Sequence, residues 1–388
     1  MSIQEVTKKN LSSKIDSFFL VLYQFFSRLI TRKKIRVFFR YQTKNTHPSF
    51  KRFYDHPPIA WSNAVRYDLA HWINYPAWKN KSPYIVEVND HPLSAISYKN
   101  RGLSNPGDML THIDDAYEVY ADQNCKRIIL PCEGFENLFR YYFGNSLAYK
   151  FKRLHSPGCL PKLPNLNNQP SELIFACLAS DYELKGVDLV LRAWLEIEDK
   201  RGAKLILACP NVPQLVLKKL KGDDSIIWVL KAPLSVEEKH QILNRSSVTI
   251  SPTHVHAGAN IIEGMEYGHA IIHFEIHTTA HDQLGKKVGV PYHFYLPNLY
   301  GKEWKTMNEF LYKLKKDKEI GLFDQSISQL TKYLATYIND SEELLNQRKR
   351  NFDLACKEAS LSFRNKELRN LYENVLSGRD FIDGAIND

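Results

Sequence analysis

Four residues in one twelve-residue stretch, "PTHVHAGANIIE" (252–263), carry types suited to holding a phosphorylated ligand: His254, His256, Gly258 and Glu263. A strand ends at Ser251-Pro252, and a helix starts near Ala259. Gly258 allows close backbone approach or a positive φ. The free N–H groups at the helix start favour a phosphate. Glu263 falls about one turn in, where its carboxylate could accept hydrogen bonds from a vicinal diol such as a ribose. Further back, Lys185-Gly186 open an amphipathic helix after another strand. A lysine near a helix N-terminus opposes the helix dipole, which makes better sense if an anion sits there too. A solvated helix glutamate and an exposed loop lysine are the plain alternatives.

The stretch from Thr253 to His281 also holds six of the chain's 14 histidines. His269, His273, His277 and His281 fall every fourth residue, and only a continuous helix would put them on one face. "HAIIHF" instead reads as a strand following Gly268, and "EIHTTAHD" as the loop after it. No metal cluster is expected, and no Cys/His set has zinc-site spacing. Cys177 and Cys209 lie in apolar runs and read as small core residues. The cysteine usage suits a reducing compartment.

The elements that must position these residues alternate regularly from about 170 onward. Short apolar runs at 173–178, 204–209, 225–230, 248–251 and 270–274 read as strands. Amphipathic segments near 187–199, 212–221, 235–246 and 259–268 read as the helices between them. Fully apolar strands separated by helices imply a parallel sheet covered on both faces, a doubly wound α/β domain. In such sheets ligands bind beyond the carboxyl ends of the strands. That rule selects the 179–186 loop, Lys231 after "SIIWVL", the 252–260 loop, Glu133 after "RIILPC", and Asp90 and His91 after "YIVEV". In the first half, 84–88 and 127–131 are buried strands and 35–41 is a candidate first strand. Proline and aromatic residues crowd 47–83 and obscure the elements there.

With 388 residues, the chain is sized for two domains. We divide it into an N-terminal amphipathic segment (1–33), a Rossmann-like domain (34–165), a second Rossmann-like domain (166–350) and a helical tail (351–388). The proline- and asparagine-rich 156–170 reads as the linker. Phe18, Phe19, Leu22, Phe25, Phe26 and Leu29 repeat at helical spacing, with Arg28, Arg32, Lys33, Lys34 and Arg36 at the end of the run and beyond it. Asp16 and Arg28 bracket only eleven uncharged residues, short of the roughly 20 a spanning helix needs. The pattern suits a helix lying on anionic lipid or one docked on its own protein. A net charge of +9 points to an anionic partner. No helix-turn-helix, zinc-finger or RNP pattern supports nucleic acid.

The C-terminal half resembles glycosyltransferase family 4 and its GT-B relatives. "KGVDLVLRA" (185–193) is similar to that family's "KG-x-D-x-L-(L/I)-x-A". "SPTHVHAGANIIEGMEYGHAII" (251–272) is similar to its "PS-x-x-EGFG-x-x-x-LEAM-x-x-G-x-PVI". The match covers about 170–290, extends weakly back through "RIILPCEG" and "LHSPGCLPK", and is absent from the first 80 residues. The resemblance implies a GT-B fold, two Rossmann-like domains facing across a cleft. It implies a glycosyltransferase of hexosyltransferase type, retaining and metal-independent, with a nucleotide-sugar as co-substrate and no other cofactor. The acceptor would be a glycan or lipid-linked saccharide, as in polysaccharide biosynthesis, met in the cytoplasm or peripherally at the inner face of a membrane. By the same resemblance Lys185 and Gly186 would meet the diphosphate, Gly258, Ala259 and neighbouring amides would cradle it, and Glu263 would hold the ribose. Lys231 would lie near the base, and His91 or Asp90 would face the donor sugar.

Three departures stand out. The family's first glutamate, separated from the second by seven intervening residues, falls on Val255, between His254 and His256. The arginine many members carry six residues before the lysine is Ala179. The glycine-rich loop of the N-terminal domain is missing. These losses keep open a catalytically inactive GT-B-like protein that binds a glycan or a partner.

Overall fold

The structure, a computed structural model, describes residues 37–40, 69–73, 83–88, 92, 113–155, 172–231, 233–254, 259–275, 285–292 and 307–378. The fold is α/β: two parallel sheets with helices packed on them. The first sheet comprises β1 (Val37–Arg40), β2 (Leu69–Ile73), β3 (Tyr84–Glu87), β4 (Cys125–Leu130) and β5 (Phe151–Arg153), lying side by side in chain order. Helices α1 (Ile113–Ala121) and α2 (Glu133–Phe143) belong to the same half.

The second sheet comprises β6 (Ile174–Leu178), β7 (Lys204–Ala208), β8 (Ile226–Val229), β9 (Val248–Ser251), β10 (Ala270–Phe274) and β11 (Lys286–Val288). Helices α3 (Val187–Leu195), α4 (Gln214–Lys219), α5 (Val236–Arg245) and α6 (Ala259–Glu266) connect the strands up to β10. Then follow α7 (Met307–Glu319), α8 (Asp324–Asn339), α9 (Ser341–Leu354), a π-helical turn (Ala355–Ala359) and α10 (Leu361–Ser377).

The expected strands of the second half are all present, short apolar runs of which all but the half-buried edge strand β8 are largely buried on both faces. Phe175, Cys177, Leu205, Leu207, Val248, Ile250, Ile272 and Phe274 pack one way, against α3 and α8. Ile174, Ala176, Ile206 and Ala208 pack the other way, with Ile242 of α5. Trp194 of α3 meets Phe175 edge-on at 5.4 Å, and its indole N–H donates to Ser225 Oγ at 3.0 Å. Burying one such side chain contributes roughly 1.5–3 kcal/mol. Cys177 and Cys209 are buried in this core and unpaired, as their apolar neighbours predict. The helix expected at 187–199 ends at Leu195, and that expected at 259–268 ends at Glu266. Gly268, at φ 68°, turns the chain into β10.

The first sheet alternates equally strictly. Ala70, Trp72, Tyr84, Val86, Ile128 and Leu130 face α1 and α2. Leu69, Ile85 and Ile129 face α10, the last described helix, through Leu368, Leu371, Tyr372 and Val375. His71 and Glu87 share this second face by the same period of two. Arg364 of α10, fully buried, donates to Glu87 Oε2 at 2.6 Å and to the carbonyl of His155 at 2.5 Å. His71 Nε2 lies 3.2 Å from the same carboxylate oxygen, and His71 Nδ1 is 2.7 Å from the Tyr372 hydroxyl. A helix from the end of the chain therefore closes the first sheet.

Residues 1–33 and the 156–170 linker lie outside the described residues. Among the described residues no helix is long and apolar enough to cross a membrane.

Candidate functional site

Strand order locates the site. The second sheet runs β11-β10-β9-β6-β7-β8, so the chain builds outward from β6 to β8, then returns to β9 beside β6 and builds the other way. Between β6 and β9 the direction reverses, and the two following loops lead to helices on opposite faces of the sheet. That switch point is where an open parallel sheet leaves a crevice for a ligand. The loop after β6 carries Lys185 and Gly186, and the loop after β9 carries His254.

The two loops are fastened to each other. Gly186 takes φ 63°, ψ 21°, a left-handed conformation that glycine adopts without strain. A Cβ there would collide with the carbonyl oxygen of Pro252 and lie 3.1 Å from Phe274. The His254 amide donates to the Leu184 carbonyl at 3.1 Å. Asn260, at the start of α6, reaches across with its side-chain amide to the Leu178 carbonyl at the end of β6, 3.0 Å away.

The first loop is shaped from within. Asp181 accepts from the Leu184 amide at 2.7 Å and from Asn211 Nδ2 at 2.8 Å. Asn211 in turn accepts from the Tyr182 amide at 2.9 Å. Lys185, at the loop's end, is half-buried. Burial pushes its ammonium down to about 8, against the pull of the nearby Asp181 carboxylate. Behind it, Asp188 in the first turn of α3 accepts from Lys318 of α7 at 2.8 Å, both side chains being buried. The aspartate of "KGVD", three positions after the lysine, thus anchors α3.

Ala259 is the first residue of α6, whose first turn carries no acidic side chain. Glu263 sits on the second turn, half-buried, and forms an ion pair through Oε2 with Lys239 of α5. That pair orients the carboxylate and leaves Oε1 for another partner. α6 lies close against β9: a Cβ on Gly264 would stand 2.5 Å from Thr249 Oγ1.

Other candidates fall differently. The His254 ring is fully buried, edge-on to Phe274 at 5.4 Å and to Phe323 at 5.3 Å. Lys231 follows β8, an edge strand two places from β6, roughly 10 Å across the sheet. It is exposed and holds Glu238 Oε1 at 2.6 Å. Glu238 also closes the capping box of α5 with Ser235, and these contacts hold its carboxyl down at about 2. Asp90, His91, His256 and Gly258 lie outside the described residues. Beside the first two, the Pro92 carbonyl accepts from the buried Tyr120 hydroxyl at 2.6 Å.

His269 and His273 are both buried in the second sheet's surroundings. His269 is held at both ring nitrogens, by Thr249 Oγ1 at 2.8 Å and the Leu243 carbonyl at 2.9 Å. Burial pushes its imidazolium down to about 3, so it is neutral. Among the described residues no group of three or more His, Cys, Asp or Glu is placed to hold a metal ion.

Asn260, Lys239, Asp181 and Asn211 were not singled out from sequence. Their partners lie up to 82 residues away. Only the rule that loops beyond β6 and β9 face each other could have suggested them.

No protein-family model matches the chain, and no curated protein matches its sequence. Solved structures do align with it. HepE of Anabaena in complex with UDP aligns at 11% identity and TM-score 0.47, over 79% of this chain and 79% of its own. WaaG, a glycosyltransferase involved in lipopolysaccharide biosynthesis, aligns at 13% and 0.48, over 80% and 78%. The sucrose-phosphate synthase of Thermosynechococcus elongatus aligns at 14% and 0.48, over 80% and 74%. Likeness of this degree concerns layout and carries no information about chemistry.

Proposed function

We propose that the chain is a glycosyltransferase that binds a nucleotide-sugar donor at the switch point of its second sheet. The supporting observation is the fastening of the Lys185-Gly186 loop to the β9 loop, beside the amino end of α6. A half-buried lysine and a helix N-terminus meeting at one crevice suit a diphosphate, and both stabilise the charge that develops on it as the sugar leaves. Glu263, oriented by Lys239, suits the ribose hydroxyls. The donor sugar would be a hexose, transferred with retention and without a metal. Asp90 and His91, expected beyond β3, are the candidates to face it. The acceptor would be a glycan or a lipid-linked saccharide in the cytoplasm or at the inner face of a membrane, with residues 1–33 as its lipid-facing segment.

A second reading, donor binding without transfer, is favoured by the burial of His254. A ring enclosed by Phe274 and Phe323 is poorly placed to take over from the glutamate that Val255 replaces.

One experiment tests both. Purified protein is titrated with UDP, GDP, ADP and their sugar conjugates, and nucleotide release is followed with and without glycan acceptors. Binding with release supports transfer, and binding without release under any acceptor supports the second reading. No binding of any nucleotide or conjugate would sink both. Lys185→Ala and Glu263→Ala should each weaken binding tenfold or more, the value of about 1.5–3 kcal/mol for a hydrogen bond to a charged group. Unchanged binding in both variants would refute the site assignment.

A further inference from the structure

A second cavity, of about 170 Å³, opens at the opposite end of the same sheet. Leu173 and Ala203, the residues preceding β6 and β7, form its floor, and the junction of α8 with α9 covers it. A five-residue strand puts roughly 17 Å between this end and the loops that carry Lys185 and His254.

Its charged groups are all cationic: Lys200, Arg201 and Arg348. Arg348 of α9 lines the cavity and is buried, 7% exposed. Its Nε–H donates to the Gly268 carbonyl at 2.7 Å, and its remaining N–H groups have neither a protein acceptor nor a carboxylate partner among the described residues. Burial without a counter-charge pushes its guanidinium below the usual arginine range. Tyr337, 1% exposed, lines the same cavity through its ring, its hydroxyl being sealed from solvent and without a hydrogen-bond partner among the described residues. A largely buried cation without a counter-charge is costly, so Arg348 is the position where an anion would gain most.

The third observation is a backbone outlier. Arg201, also lining the cavity, is the one described non-glycine residue with positive φ, at 48°. With Gly202 at φ 75°, and the Ala203 amide donating to the Lys200 carbonyl at 2.7 Å, it forms a type I′ turn. Asparagine, aspartate or glycine suits that first central position, and arginine is strained there. Its side chain is mostly exposed, and its ion-pair partner among the described residues, Asp199, is exposed too and 3.7 Å away. No lining residue is acidic, and Leu344 and Leu345 supply an apolar wall.

We propose that this cavity binds a small organic anion, a carboxylate or phosphate monoester with an apolar body of a few carbon atoms, its charge held by Arg348 and Arg201. The site is separate from the nucleotide crevice and does not depend on the reading given for it.

The test is calorimetric titration of the full chain with butyrate, n-butyl phosphate and inorganic phosphate. One or both organic anions should bind saturably at one per chain, more tightly than inorganic phosphate. Arg348 also holds the turn at Gly268, so the informative variants are elsewhere. Arg201→Gly relieves the turn and removes the charge: it should weaken binding at least tenfold while its thermal midpoint stays at or above the parent's. Ser341→Trp, at an exposed lining position, should block entry. Lys185→Ala should leave binding intact. Saturable binding by none of the three probes would overturn the proposal, as would binding that survives both cavity variants or is abolished by Lys185→Ala. Inorganic phosphate binding as tightly as the organic anions would overturn the apolar-body assignment.

Discussion

The two sheets are built from the same kind of strand, yet they use charge in opposite ways. In the first, the described strands lie in chain order with no reversal between neighbours. Helices cover both faces, one of them from the far end of the chain, and the charges it brings are consumed internally. Arg364 meets Glu87 and two carbonyls, and His71 bridges Glu87 to Tyr372. In the second, order reverses between β6 and β9, and a half-buried lysine stands on one of the two loops at that reversal. The buried cation of the closed layer is matched within that layer, whereas the lysine at the switch point is the group that the proposed nucleotide site would use. Strand order, more than residue type, separates the two roles.

The contrast breaks most visibly at Arg364. Replacing it with methionine leaves the Glu87 carboxylate buried without its main partner, which should cost about 3–5 kcal/mol. Denaturant unfolding would show this as a lower midpoint at unchanged slope. The double variant Glu87→Leu/Arg364→Met should recover much of the loss, since an apolar pair of similar volume does not need hydrogen bonds. Nucleotide affinity of the folded fraction should not move. A single variant as stable as the parent would mean that the cluster is not needed to seat α10.

Two glycines sharpen it at a smaller scale. Gly378, at the end of α10, and Gly186 are both left-handed, at φ 69°, ψ 11° and φ 63°, ψ 21°. A Cβ on Gly378 would meet nothing within 4 Å, while one on Gly186 would strike the Pro252 carbonyl. Gly378→Ala should cost only the left-handed penalty of about 1–2 kcal/mol. Gly186→Ala should cost more, because the two loops must separate, and it should also weaken nucleotide binding. Equal stability losses, with affinity untouched, would detach the loop contact from the site.

Much of the second sheet was legible because its strands are short, wholly apolar and separated by amphipathic helices. Lys185, Gly186, Ala259 and Glu263 lie on the elements expected of them. What escaped is what depends on distant partners. β2 was obscured by a neighbourhood of prolines and aromatics, and it carries His71, whose burial is explained only by Glu87 and by Tyr372, some 300 residues later. β5 and β11 are three-residue edge strands, too short to show a period. His254 looked like a ligand-facing residue beside Gly258, and nothing local reveals that its ring packs against Phe274 and Phe323. The aspartate of "KGVD" gave no hint of Lys318 on a helix 130 residues away.

The smallest expected effect is also the most specific to the switch point, because it follows from the lysine's titration. Burial lowers the Lys185 ammonium from 10.5 to about 8. Between those values the unfolded chain binds more protons at this position than the folded one, so stability rises with pH across that window through this group. Below pH 8 the folded state carries the full cost of a half-buried charge, and Lys185→Met should therefore gain most over the parent near pH 7 and least above 10.5. A diphosphate has the opposite influence. It favours the charged lysine, raises its pKa, and makes binding take up a proton near pH 8.5. Calorimetry of nucleotide binding in two buffers of different ionisation enthalpy should reveal that uptake, and affinity should fall as pH rises through 8. Lys185→Arg stays charged throughout and should lose both effects, though a planar guanidinium replaces a point charge there. Binding with no proton uptake in the parent would mean that the anion does not contact Lys185. The second sheet's crevice would then be no different in kind from the closed layer of the first.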